Sequence, residues 1–365
     1  MKKILSAALL LVIAFSLVGC NKYKPVKSTK EESRVMMTIT VGGEEYDVKY
    51  ELYRALFLNY KSTVDGGDDS VWSGKDAQKY VDRINEIIIS RASDIFAVFS
   101  FAESLGFKPF SKEVDNEIKS RIEMSIEGSG GVVGFDGDYD AYLASLKKQN
   151  LNYSVQTLML RYSLMLEYIS EYYLGFEDPD VGYVAGKYQF TEEEVRAFYN
   201  SDECVRILHA FVGKSKMADA RERIDTIRAE ILEAESPSDI GLIIINNTVV
   251  VTSDVFVGKE LSGIVLGEDM ISDGAYDEYR DVAFDLEPGE VSEVIEVSGS
   301  NPGYYVIYAL DKTPEHLELC YETVKNAYLD NLIGSELGRL ADEAEENVVY
   351  SEKYSEVEHK NISMN

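Results

Sequence analysis

The feature that most constrains this chain is a change of period along it. From residue 77 to residue 173 apolar side chains recur every three to four positions, from 204 to 310 they alternate in short runs, and from Thr313 the helical spacing returns. Val81, Ile84, Ile88, Ile95, Val98, Ala102 and Leu105 form one stripe, with Gly106 where a C-cap belongs. Val114, Ile118 and Ile122 mark a second helix over 111–126, a third spans 139–148, and Leu158, Tyr162, Met165, Ile169 and Tyr172 line a fourth over 155–173. That last stripe reads either as core or as a groove for apolar segments of a partner, since Met and Tyr adapt to many surfaces. Such a run of helices argues against two α/β lobes of the solute-binding kind.

Before the helices, residues 36–41 and 44–48 read as a hairpin around Gly42-Gly43, two glycines that supply the positive φ angles of a tight turn. After them, the acidic, Gly-rich stretch 177–188 with Pro179 marks a domain boundary. Thr191 and Glu194 then have the spacing of a capping box. Strands are expected at 205–212, at two apolar runs within 242–251, at 291–297 and at 304–310, and helices around Met217–Ile231 and over 276–284. Thr313-Pro314 opens a long helix whose buried side carries Leu317, Cys320, Val324, Ala327, Leu337, Leu340 and Ala344. That face is too long for a small mixed domain to cover, so the fold class is α+β: N-terminal helices (36–185) plus the C-terminal helix (313–350) form a helical domain, and residues 203–312 form an inserted α+β domain.

The N-terminus has a different character. Lys2 and Lys3 precede an apolar run over 4–18, short for a membrane span and matched to a secretory signal. The run closes on Leu17-Val18-Gly19-Cys20, which resembles the bacterial lipobox; an ordinary signal peptide with an incidental cysteine is the other reading. The resemblance implies cleavage after residue 19, lipid on Cys20, a tether over 20–35 and a partner in the membrane on the extracytoplasmic face. Lys22, Lys24, Lys27, Lys30 and Arg34 make that tether basic, with an extended reach of about 45 Å at most. The whole chain carries a net charge of −29, and the body beyond the tether is more acidic still, which excludes nucleic acid as a partner. Cys204 and Cys320 can pair or stand as idle thiols, and no Cys or His spacing suits a metal or calls for a cofactor.

Three later segments carry a family resemblance. Val205-Arg206-Ile207-Leu208-His209-Ala210-Phe211-Val212 resembles the first strand of parvulin-type peptidyl-prolyl isomerases, with His209 on the family histidine. The run from Tyr279 to Ser292, with Ala283-Phe284 and Gly289-Glu290-Val291-Ser292, is similar to the family's helix and the turn after it. Gly303-Tyr304-Tyr305-Val306-Ile307 matches its closing strand, where Tyr305 stands in place of a second histidine. Gly42-Gly43, Ser104-Leu105-Gly106-Phe107 and the helices from Tyr142-Leu143 to Arg161 look like the chaperone domain of SurA-like and PrsA-like foldases.

The resemblance implies catalytic positions at His209 and Tyr305 and a proline pocket walled by Tyr279. Met270 fills the family's pocket methionine if a few residues are inserted before Tyr279; otherwise the position is Ala275. The family's central Cys or acid has no good counterpart, Asp254 being the nearest acid. The implied partners are unfolded, newly exported polypeptides. Two functions follow, an isomerase of Xaa-Pro bonds that also holds its clients, and a chaperone whose isomerase domain only binds.

Overall fold

A computed structural model describes residues 23–128, 134–178, 181–214, 218–247, 263–267, 276–298 and 302–364. The chain divides into two compact units: residues 186–335 form one, and the segments on either side, from Tyr23 to Ala185 and from Glu336 to Met364, belong to the other. The 186–335 unit is thus inserted in the other along the sequence.

The outer unit opens on β1 (Val35–Val41) and β2 (Glu44–Lys49), joined through Gly42 and Gly43 at φ 60° and 84°. Met37, Ile39 and Val41 of β1 and Tyr46 and Val48 of β2 point inward. Next come α1 (Tyr50–Asp65), α2 (Ala77–Ser104), α3 (Lys112–Glu127), α4 (Tyr139–Lys148) and α5 (Tyr153–Leu174). Ser111, Asp138 and Asn152 each accept a backbone N–H at the start of α3, α4 and α5, so three local caps set where these helices begin. Residues 92–102 of α2 are buried almost all round, making it the central helix. Of the α5 stripe, Met165 and Ile169 are core, while Leu158, Tyr162 and Tyr172 are half-buried.

The short pair β3 (Phe176–Asp178) and β4 (Gly182–Val184) follows, and then the inserted unit. It contains α6 (Glu192–Asn200), β5 (Cys204–Gly213), α7 (Ala220–Leu232), α8 (Pro237–Asn247), β6 (Ile264–Gly267), α9 (Asp277–Asp285), β7 (Ile295–Val297), β8 (Gly303–Ala309) and the first part of α10 (Pro314–Glu346). The antiparallel sheet has the order β6-β5-β8-β7. Its strands alternate between two cores, as a period of two requires. Leu208, Ala210, Val212 and Val306 pack under α7 and α8, while Ile207, Phe211, Tyr305 and Ile307 pack under α9. A third cluster joins Val195, Phe198 and Tyr199 of α6 to Cys204, Val265 and Leu317, Val324 and Ala327 of α10. The capping box is present: Glu194 N–H donates to Thr191 Oγ1 at 3.2 Å and Thr191 N–H to the Glu194 carboxylate at 2.6 Å. From Glu336 the chain belongs to the outer unit, where β9 (Val348–Tyr350) pairs with β1 to give the order β2-β1-β9.

Four expectations differ from the structure. The two strands expected within 242–251 are replaced, up to Asn247, by helix α8. Ser236 caps it, and Ile240 and Ile244, one turn apart, reach the α7 core, a spacing that the run Leu242–Ile245 conceals. The strand expected over 291–297 is regular only from Ile295. Before that the chain is held to β8 by Gly289 N–H on the Ala309 carbonyl, Ala309 N–H on the Glu290 carbonyl, and Ser292, whose N–H donates to the Ile307 carbonyl while its Oγ accepts the Ile307 N–H. Part of the long helix expected over 313–350 packs within the inserted unit rather than the helical one, because Leu317, Val324 and Ala327 complete the α6 core. The basic tether does not stand free over its described part. Tyr23 packs on Tyr139, the Tyr139 hydroxyl donates to the Lys24 carbonyl, Ser28 donates to Glu51, and Glu32 pairs with Arg54 at 2.9 Å. The tyrosines and acids within and beneath that segment give its backbone and charges partners.

Candidate functional site

The central position of β5 explains how the candidate residues meet. His209 and Phe211 lie two apart and so share the sheet face under α9. Tyr305 is directly opposite Phe211 in the β5–β8 register and diagonal to His209, which pairs with Ile307. Tyr279 comes down from α9, whose Ala283 fills the same core one turn later.

The hydroxyl of Tyr279 and Nδ1 of His209 share a hydrogen bond of 2.6 Å. The His209 and Tyr305 rings meet edge to face at 5.3 Å and 74°, and Tyr279 and Tyr305 at 5.0 Å and 67°. Tyr276 adds another ring at 6.2 Å from Tyr305, and Phe211 lies behind Tyr305 at 4.6 Å. The sequence reading missed Tyr276 and Phe211. The alternation of His209 with Phe211 and the one-turn spacing of Tyr276 with Tyr279 are the signals that mark them.

His209, Tyr279 and Tyr305 are 7%, 2% and 4% exposed. Burial penalises the imidazolium and lowers the His209 pKa from 6.5 to about 4, so the ring is neutral at pH 7. In the neutral ring one nitrogen donates and the other accepts, so the bond between Nδ1 and the Tyr279 hydroxyl couples the imidazole tautomer to the orientation of that hydroxyl. Arg280, the nearest cation along α9, has its guanidinium held at 2.8 Å by Asp277 and by Asp281. Among the described residues the site is buried and aromatic, with hydroxyl and imidazole groups at its centre, and with His209 neutral the rings that meet there carry no charge. Its rings can contact an apolar group, and its hydroxyl and imidazole groups can hydrogen-bond a polar one.

Of the positions expected from sequence, His209, Tyr279 and Tyr305 are brought together. Met270, Ala275, Asp254 and the lipidation position Cys20 lie outside the described residues. Cys204 and Cys320 are not joined in a disulfide and lie beside the α6 core, the Cys320 thiol donating to the His316 carbonyl at 3.0 Å. Among the described residues no His, Cys, Asp and Glu group suits a metal, and no helix is long and apolar enough to cross a membrane.

No protein-family model and no curated protein sequence matches the chain. Among solved structures, it is similar to the foldase protein PrsA of Streptococcus pneumoniae at 14% identity, over 80% of this chain and 91% of that one, with a TM-score of 0.28. PrsA of Bacillus subtilis matches at 15% identity over 86% and 92%, TM-score 0.25. The peptidylprolyl isomerase PrsA of Bacillus cereus matches at 13% identity over 93% and 98%, TM-score 0.24.

Proposed function

We propose that this chain is a parvulin-type foldase: its inserted unit isomerises Xaa-Pro bonds, its helical unit holds unfolded polypeptide, and a lipid on Cys20 keeps it at the outer face of a membrane. The observation that carries the isomerase reading is the convergence of His209, Tyr279 and Tyr305 from two strands and a helix, with the Tyr279–His209 hydrogen bond at its centre. The reaction needs no cofactor. Rotation about the Xaa-Pro bond faces a barrier of about 18–20 kcal/mol because the amide has partial double-bond character. A pocket that strips hydrogen bonds from the carbonyl and donates toward the proline nitrogen lowers that character. Tyr279 and Tyr276 serve as the ring wall, and His209 and Tyr305 supply the polar groups that act on the twisted amide.

A second reading has its own support. All three central residues are almost completely buried, and Tyr305 packs on Phe211 in the core. This favours a chaperone whose isomerase-like unit is structural or binds without turnover. Proline isomerisation by the full chain, with His209→Ala alongside, separates the two.

A further inference from the structure

The outer unit has a cavity of about 650 Å³ far along the sequence from the aromatic site, and β2 forms one of its walls. Five of the six β2 residues line it, and the opposite side is lined by the start of α5, from Tyr153 to Arg161. In the sheet order β2-β1-β9, β2 is an edge, so alternate backbone N–H and C=O groups along it face away from β1. The floor is apolar, with Phe96 and Leu158, and Phe110 at the rim is 56% exposed. The charge is one-sided: Glu44, Glu45, Asp47, Glu51 and Glu103 line the cavity against Lys49 and Arg161. Arg161 is already committed to Asp115 and to the Pro109 carbonyl.

We propose that this cavity receives an extended, basic and apolar polypeptide segment, which adds to β2 as a fourth strand. The segment's backbone would pair with the outward groups of β2. Alternate side chains would enter the apolar floor, and Lys or Arg on the other side would meet Glu45, Asp47 and their neighbours. Backbone pairing is indifferent to sequence, which fits a site for many clients, while the carboxylates select basic segments. The proposal rests on the foldase reading and specifies which clients it holds.

The test uses the full chain and three fluorescent eight-residue peptides: alternating Lys-Val, alternating Glu-Val, and Lys-Val with alternate backbone amides N-methylated. The expected result is that the Lys-Val peptide binds while the other two bind at least about tenfold more weakly, and that Glu45→Lys with Asp47→Lys lowers Lys-Val affinity by a similar factor. Equal binding of the methylated and unmethylated Lys-Val peptides overturns strand addition whatever the variant does. Aggregation of an unfolded basic client is measured in parallel. Equal suppression by wild type and the double variant overturns the cavity as the holding site and leaves the foldase reading standing. Selective Lys-Val binding by a chain that neither holds nor isomerises clients keeps the strand-edge site and removes the foldase reading.

Discussion

Tyr279 on α9 and His209 on β5 share a 2.6 Å hydrogen bond across 70 positions of sequence, beside the α9-facing core of the inserted unit. The consequence is a histidine kept neutral by burial and held in one orientation.

That histidine makes stability depend on pH. Its folded pKa, about 4, lies below the ordinary 6.5, so between these values the unfolded chain binds more protons and stability falls as pH falls. Relative to His209→Gln, wild type is expected to lose about 2 kcal/mol between pH 7 and pH 5 in urea unfolding. A difference between the two proteins that is constant with pH would mean that His209 is not buried as described.

Gly303 opens β8 beside the site. A Cβ placed there stands against the Phe211 ring and 2.7 Å from the Val212 carbonyl oxygen, so the backbones approach closely only because the side chain is absent. Gly303→Ala should destabilise the inserted unit by about 1–3 kcal/mol. It should also disturb the tilted Phe211–Tyr305 ring contact, read as a change in near-ultraviolet circular dichroism. An unchanged midpoint and spectrum would contradict this packing.

Arg161 tests the outer unit. Its guanidinium is buried, donates to the Pro109 carbonyl and pairs with Asp115 at 2.6 Å. Since Asp115 is half exposed, Arg161→Ala should cost about 2–3 kcal/mol, less than breaking a fully buried pair. Arg161→Lys should recover only part, because an ammonium lacks the planar fork that reaches both acceptors. Full recovery by lysine in denaturant unfolding would show that charge alone suffices.

Much of this architecture could be read from the sequence because the informative signals are local. Gly42-Gly43, the Thr191–Glu194 box and the period-four stripe Val114, Ile118, Ile122 each specify their own element. What escaped depends on tertiary partners. The apolar run Leu242–Ile245 has no period of its own, and only the α7 core decides that Ile240 and Ile244 make a helix. β9 is three residues long and exists because β1 offers an edge. Within the site, resemblance located His209, Tyr279 and Tyr305, but their burial is a property of α9 lying over the sheet. Ser292 reads from sequence as part of a strand, whereas its Oγ replaces a missing strand partner for Ile307.

The resemblance to a histidine-pair site yields a gain-of-function prediction. Tyr305 is opposite Phe211 and beside His209 on a regular strand, so Tyr305→His places two imidazoles on one face. On the isomerase reading this variant should raise the isomerisation rate above wild type. A folded variant with an unchanged rate would show that the position does not act on the amide.

The most direct test of the central claim is proline isomerisation by the full chain in a protease-coupled peptide assay, against an uncatalysed reaction of tens to hundreds of seconds. The expected result is a rate above buffer, with His209→Ala lowering kcat/KM by about tenfold or more while peptide affinity changes far less. A wild-type rate equal to buffer, with the peptide bound, would contradict it and leave the chain a chaperone.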